Sequence, residues 1–202
     1  MKIGILDYEA CNLSSIYYSI HRMGYDPTII NTAKEIKQID KLIIPGVGSA
    51  KHCLDYIKKN GIFYEINEFL NFDKPILGIC LGLQIFSKNL YEHGNSEGFG
   101  LFNAEVIPLN NSNHFNIGWS KINYNITNNL PTDIKTNDIF YFCHSYYLNF
   151  QNNEDKKNCI GYLNNDIFIP SILIKNNFIG VQFHPEKSQK NGENIIKYFL
   201  NL

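Results

Sequence analysis

The sequence predicts an α/β fold: a mostly parallel central sheet flanked by helices on both faces, with antiparallel strands added by the C-terminal half. Through residue 90, short apolar runs alternate with stretches of helical spacing. Runs that stay apolar throughout suit strands buried on both faces, and a β-α-β-α rhythm implies parallel pairing. After residue 100 the pattern becomes a series of short β-type runs separated by Asn- and Asp-rich turns. A chain of 202 residues with 44% hydrophobic and 18% charged residues fits one domain spanning 1–202. At this size folding buries roughly 70% of the unfolded surface, so the core needs no metal or disulfide staple.

The elements follow in order. Lys2 to Leu6 opens the chain as a strand that stops at Asp7. Ile16, Tyr17, Ile20 and Met23 recur at helical spacing between Leu13 and Met23, and Asp26-Pro27 ends that helix. Thr28–Ile30 and Lys41–Ile44 read as the second and third strands. Leu54, Ile57, Ile62, Ile66, Phe69 and Leu70 indicate one or two helices. Pro75–Ile79 is a fourth strand, and Leu81–Leu90 reads as a helix. Later strands are expected near 104–107, 117–122, 139–143, 158–162, 172–174 and 178–181, and Ile195–Leu200 closes the chain as a helix.

Several function classes are excluded at this level. A net charge of −1 lacks the basic excess of a general nucleic-acid binder. No apolar run approaches the roughly 18 to 20 residues of a membrane span. The N-terminus meets Asp7 too soon for a secretory signal, so a cytoplasmic location is expected. Cys11, Cys53, Cys80, Cys143 and Cys159 are odd in number, widely spaced and without a Cys-x-x-Cys pair. That pattern suits neither a disulfide framework nor a zinc site, and no metal or other cofactor is expected.

Three segments carry chemistry. Gly78-Ile79-Cys80-Leu81-Gly82 follows a strand and precedes a helix, the setting of a nucleophile elbow. The sharp turn demands glycines beside the nucleophile, and a helix N-terminus favours a thiolate. In Gln182-Phe183-His184-Pro185-Glu186, a histidine ends an apolar strand with a carboxylate two residues on. A thiol nucleophile needs such a base, and the base needs an orienting group. On extended chain an i, i+2 pair shares one face. Pro45-Gly46-Val47-Gly48 lies at the end of the third strand, where glycines let backbone amides approach a ligand. All three segments fall at carboxyl ends of strands, where open α/β sheets bind ligands. Read singly, each also fits a structural turn or a satisfied core group.

Taken together the residues resemble a known family. GICLG with Gln84, the PGVG loop and QFHPEKS are similar to class I, triad-type glutamine amidotransferases. DYEACNLSS at the start, the GW at Trp119, YFCHSYY around His144 and FHPEKS resemble the glutaminase subunit of imidazole glycerol phosphate synthase. The resemblance implies that Cys80 attacks the glutamine carboxamide and forms a glutamyl thioester, with His184 as acid–base and Glu186 holding His184. It implies an oxyanion hole from Val47, Gly48 and Leu81, and substrate binding by Gln84, Gly46, Ser145 and Tyr146. It further implies that the PGVG peptide has to turn its amide inward, which would tie activity to a partner. That partner would be a barrel-type synthase subunit, bound as a heterodimer. It would use the ammonia to make imidazole glycerol phosphate and an aminoimidazole carboxamide ribotide in histidine biosynthesis. Asn12, Trp119, Tyr141 and Lys187 match positions facing it.

The chain also departs from the family pattern. Glu9 and Cys11 replace two glycines of the first loop, and Asn116 and Ser120 replace His and Asn beside Trp119. These changes leave the triad intact and bear on the partner. A related glutaminase serving a sugar amidotransferase of surface glycans is the alternative. A non-catalytic protein on this fold would need no intact triad, and a peptidase or redox protein would need neither Gln84 nor the paired His-Pro-Glu. Among other residues, His144 is expected either to line the glutamine pocket or to be a satisfied core group. Cys143 is expected in the core, and the cluster of Asn110–Asn113 with His114 at a solvated hairpin tip.

Overall fold

The computed structural model describes residues 1–9, 13–110, 114–125, 138–165 and 167–202. In chain order the elements begin with β1 (Ile3–Leu6), α1 (Leu13–Arg22), β2 (Thr28–Ile30), α2 (Ala33–Ile36) and β3 (Lys41–Ile44). Next come α3 (Ala50–Lys59), α4 (Ile62–Asn71), β4 (Ile76–Ile79), α5 (Leu81–Gln84), β5 (Ser87–Leu90) and β6 (Ser96–Glu97). Then follow β7 (Phe102–Pro108), β8 (Asn116–Lys121), β9 (Asn123–Tyr124), β10 (Ile139–His144), β11 (Tyr146–Phe150) and α6 (Asn153–Lys156). The last are β12 (Cys159–Asn165), β13 (Ile167–Lys175), β14 (Phe178–Val181), a 3-10 turn (Pro185–Lys187) and α7 (Gln189–Leu200).

One eight-stranded sheet organises the molecule, in the order β2-β1-β3-β4-β14-β13-β12-β9. The first five strands are parallel, and β13, β12 and β9 continue it antiparallel. Period-two alternation gives each face its own core. Ile5, Ile43, Leu77, Ile79, Ile179 and Val181 pack with Ile16 and Ile20 of α1 and Ile195, Ile196 and Phe199 of α7. Leu42, Ile44, Ile76 and Phe178 pack on the other face with Leu54 and Ile57 of α3 and Ile66 and Phe69 of α4. Burying each such side chain contributes roughly 1.5–3 kcal/mol. The charged head of Lys41 is buried too, and its Nζ donates to the Phe199 carbonyl at 3.1 Å, seating the C-terminal end of α7 on the sheet. Among the described residues no helix is long and apolar enough to cross a membrane.

The α/β architecture is the expected one, and three local expectations are corrected. Leu81–Leu90 is not one helix: α5 ends at Gln84 and residues 87–90 are a strand. The Ser87 hydroxyl donates to the Gln84 carbonyl at 2.8 Å, an acceptor that a continuing helix would have used. The second-half strands do not all join the main sheet. β11-β7-β5-β6 forms a separate four-stranded sheet and β10-β8 a two-stranded ribbon. The aromatic run from Phe140 to Tyr147 is therefore broken at Ser145, its two halves pairing in different sheets. His114 is exposed, as expected of a hairpin tip, while residues 111–113 lie outside the described residues.

Helix α7 approaches the 3-10 turn closely through one glycine. A Cβ on Gly192 would stand 1.9 Å from the Pro185 carbonyl oxygen. Gly192→Ala is expected to cost about 1–3 kcal/mol, because backbone cannot yield as a flexible side chain does. A lowered urea midpoint checks this; an unchanged one would show that α7 does not need this close approach.

Candidate active site

The ends of β3, β4 and β14 are neighbours in the sheet, and each carries one of the three chemical segments. Close backbone contact fixes their geometry. A Cβ on Gly46 would lie 1.8 Å from the Ile79 carbonyl oxygen, and one on Gly82 would lie 2.1 Å from the Ile44 carbonyl oxygen. The loop after β3 and the elbow after β4 therefore interlock, and only glycine fits at either contact. Cys80 has φ 50° and ψ −103°, a conformation unfavourable for a side-chain-bearing residue. It is the strained turn of a nucleophile elbow. The first N–H groups of α5, starting with Leu81, lack intrahelical partners.

Cys80 is 6% exposed and His184 2%, so the thiol and the imidazole face each other largely out of water. His184 Nδ1 lies 2.9 Å from Glu186 Oε1. That leaves Nε2 free to serve Cys80, which lies close enough to interact electrostatically with the imidazole. Burial alone would lower the His184 pKa. The hydrogen bonds and charges of Cys80 and Glu186 outweigh it and raise the pKa to about 10. The arrangement thus favours a protonated His184 ring. Glu186 reaches back from the 3-10 turn rather than along extended chain, which corrects the expected strand geometry. Pro185 begins that turn, and Ser188 Oγ donates to the His184 carbonyl at 2.6 Å.

A cavity of about 350 Å³ opens over Cys80. Gly46, Val47, Gly48 and Leu81 line one part of it, and Gln84, Ser145, Tyr146, His184 and Lys187 line others. Every described residue assigned to the oxyanion or substrate sites is therefore brought to this cavity. Gln84 donates through Nε2 to the Tyr146 carbonyl at 2.8 Å and to Gln182 Oε1 at 3.2 Å. His144 also lines the cavity, although it is buried. Its Nδ1 lies 2.9 Å from the Tyr146 carbonyl and its Nε2 lies 3.0 Å from Asn116 Nδ2. An acceptor on one side and a donor on the other fix a neutral tautomer. Burial, offset in part by the Tyr146 bond and aided by the charge of His184, lowers its pKa to about 4.

Cys143 is exposed and lines the same cavity, contrary to the expected core position. Buried Phe142 and His144 alternate with it along β10, so the strand's pleat turns Cys143 outward. Cys53 and Cys159 are buried, and burial raises the Cys159 thiol to about 12. Trp119, Tyr141 and Lys187 come together: Trp119 pairs with Tyr141 across the ribbon, and Lys187 Nζ sits 5.8 Å from the Tyr141 ring centre. Trp119 is 50% exposed, with Ile117 and Ile139 also exposed nearby on the ribbon. Asn12 and Cys11 lie outside the described residues.

Three residues at the site escaped the sequence reading. The Tyr8 hydroxyl donates toward the Pro45 carbonyl at 2.8 Å and the Val47 carbonyl at 3.1 Å, holding the Pro45–Gly46 and Val47–Gly48 peptides. Gln182 Nε2 lies 3.4 Å from Cys80 Sγ. Its signal was a polar residue inside a buried strand end. Glu92 lines the cavity and accepts from the Ala50 N–H at 2.6 Å, capping α3 where Ser49 makes no side-chain cap. The expected helix over 81–90 hid it. Among the described residues no cluster of three or more His, Cys, Asp or Glu could hold a metal ion.

Comparison with known proteins places this geometry in a family. Residues 4–201 match the glutamine amidotransferase class-I family. The chain is 37% identical over 198 residues to the imidazole glycerol phosphate synthase subunit HisH of Caldanaerobacter subterraneus subsp. tengcongensis, covering 98% of this chain and 96% of that one. It is 38% identical over 202 residues to imidazole glycerol phosphate synthase subunit HisH 2 of Methanococcus maripaludis, covering 98% of each. Among solved structures, PurLQS from Thermotoga maritima matches with a TM-score of 0.77 at 17% identity, over 99% of this chain and 97% of that one, a likeness of fold. By motif, by elbow geometry and by near full-length similarity, the chain belongs to the class-I glutamine amidotransferases, in their HisH branch.

Proposed function

We propose that this chain is the glutaminase subunit of an imidazole glycerol phosphate synthase, and that Cys80, His184 and Glu186 carry the reaction. The observation that carries the reading is that buried Cys80 and His184 line one cavity, with the imidazole bonded to the Glu186 carboxylate at 2.9 Å and Cys80 close enough to raise the pKa of the ring. The Cys80 thiolate attacks the carboxamide carbon of glutamine. The Val47, Gly48 and Leu81 amides receive the oxyanion that forms. The His184 imidazolium gives its Nε2 proton to the amide nitrogen, the C–N bond breaks, and ammonia leaves behind a glutamyl thioester. Neutral His184 then takes a proton from water, whose oxygen attacks the thioester. Glutamate departs and the thiolate is restored.

The cavity suits the rest of the substrate. Glu92 is its carboxylate among the described residues and is the natural acceptor for the α-ammonium group. Gln84, Gly46 and the backbone of Ser145 and Tyr146 hold the carboxamide and the α-carboxylate. The exposed patch of Trp119, Tyr141 and Lys187, adjoining the cavity through Lys187, is the face for a barrel-type synthase subunit. Covering that face would carry ammonia to the synthase without crossing water. The HisH relatives favour this partner over a sugar amidotransferase.

Cys80→Ala is expected to abolish glutamate release in the presence of the synthase subunit. Glu186→Gln should lower kcat by about 10²-fold or more while leaving KM within a few-fold, since Glu186 acts only through His184. Retained turnover in Cys80→Ala would refute the reading. Glu92→Gln should raise KM for glutamine about tenfold or more with a smaller effect on kcat, because it keeps an acceptor for the α3 cap and loses the charge. Equal KM values would remove Glu92 from the substrate site. The imidazole of His184, followed by NMR, should keep its proton to about pH 10. In Cys80→Ala the sulfur's contribution is gone and burial pulls the midpoint down; an unchanged midpoint would show that Cys80 does not help hold that proton.

A further inference from the structure

Gln182 is fully buried just beyond β14, two residues before His184. Its carboxamide lies between two groups, with Cys80 Sγ 3.4 Å from Nε2 and Gln84 Nε2 3.2 Å from Oε1. Which end faces which neighbour is decided by one backbone oxygen. Gln84 lies 2.8 Å from the Tyr146 carbonyl, which can only accept, so Gln84 must present its NH2 there. The second N–H of that group points at Gln182, which must answer with Oε1. The NH2 of Gln182 is then left facing the sulfur, and an NH2 only donates.

We infer that Gln182 is a further catalytic residue of this site, whose Nε2–H donates to Cys80 Sγ and favours the thiolate over the thiol. The inference rests on the reading of Cys80 as the nucleophile. A hydrogen bond to sulfur is stronger when the sulfur is charged, so a fixed donor shifts the ionisation toward the anion. The amide does not titrate. Its donor is therefore present at every stage: Gln182 faces the sulfur while His184 is neutral over the thioester, and it stabilises, together with the re-formed imidazolium, the thiolate that water expels. Other groups also act on Cys80. His184, backed by Glu186, faces it from the end of β14, and His144 and Cys143 line the cavity from β10. Glu92 and Lys187 line the cavity too, and Tyr8 lies close enough to interact electrostatically with Cys80. All of these remain when Gln182 is changed, so a change in the pH profile isolates the amide.

The test is the pH dependence of iodoacetamide alkylation at Cys80 in the full chain, quantified on the Cys80 peptide so that exposed Cys143 does not contribute. Gln182→Met keeps the length and removes the donor; its midpoint should rise by about one unit, a loss of about tenfold in thiolate below both midpoints. Gln182→Glu keeps an acceptor for Gln84 but turns a charged oxygen to the sulfur, and its midpoint should rise further. Glutaminase kcat should fall about tenfold in Gln182→Met, with KM within about twofold. A measurement on the unaltered protein needs no variant of Gln182. The Nε2 protons of ¹⁵N-labelled Gln182 should move downfield with the Cys80 midpoint and should not do so in Cys80→Ala. Superimposable alkylation profiles, or Nε2 protons that ignore the Cys80 titration, would overturn the inference. Turnover that survives Cys80→Ala would instead overturn the reading of Cys80 itself.

Discussion

A Cβ at Gly46 would overlap the Ile79 carbonyl, and one at Gly82 would overlap the Ile44 carbonyl. These two contacts lock the turn after β3 to the turn after β4, and the site depends on that lock. With Gly46 against Ile79, the Val47 and Gly48 peptides stand beside the Cys80 elbow rather than a residue's width away. With Gly82 against Ile44, α5 can begin directly at the nucleophile. Positive φ at Cys80 is held in place by this packing, an example of local strain sustained by its surroundings. The neighbouring strand β14 then delivers His184 by sheet register alone, since Gly180 pairs with Gly78 and Val181 with Ile79. Three sequence segments spread over more than 130 positions meet because three adjacent parallel strands end together.

The pocket holds two buried histidines in opposite states. Burial would lower both. His184 has Cys80 and the Glu186 carboxylate beside it and is raised to about 10; His144 has a backbone carbonyl and an amide and is lowered to about 4, in part by His184 itself. The two rings thus differ in charge, and the neutral one holds strand geometry at Tyr146. The Tyr146 carbonyl accepts from both His144 and Gln84, so the substrate-lining bend between β10 and β11 and the sulfur's amide donor belong to one network. Asn116, which stands where the family pattern has histidine, joins this network from the ribbon that carries Trp119.

Much of this was legible in the chain. The parallel strands read clearly because β1 and β4 are apolar throughout and β3 is so after Lys41, and Gly78, Cys80, Gly82, His184 and Glu186 stand at spacings set by turn sterics. What failed was decided by tertiary pairing. Residues 81–90 have helical spacing, yet Ser87 ends the helix and β5 is recruited by β7. The run from Phe140 to Tyr147 is one β-type segment by composition, and only its two different partners divide it at Ser145. Cys143 looked apolar enough for the core, but the pleat of β10 decides its side. Tyr8, Glu92 and Gln182 act through partners 39, 42 and 102 positions away, distances at which no local pattern speaks.

The central claim is that the locked strand ends make Cys80 a nucleophile that carries a glutamyl group. Acid-quenched mass spectrometry of the chain with its synthase subunit during glutamine turnover tests it most directly. A glutamyl adduct is expected on the Cys80 peptide, and it should be lost in Cys80→Ala. Steady ammonia release with no adduct on Cys80, or with one on another residue, would contradict it.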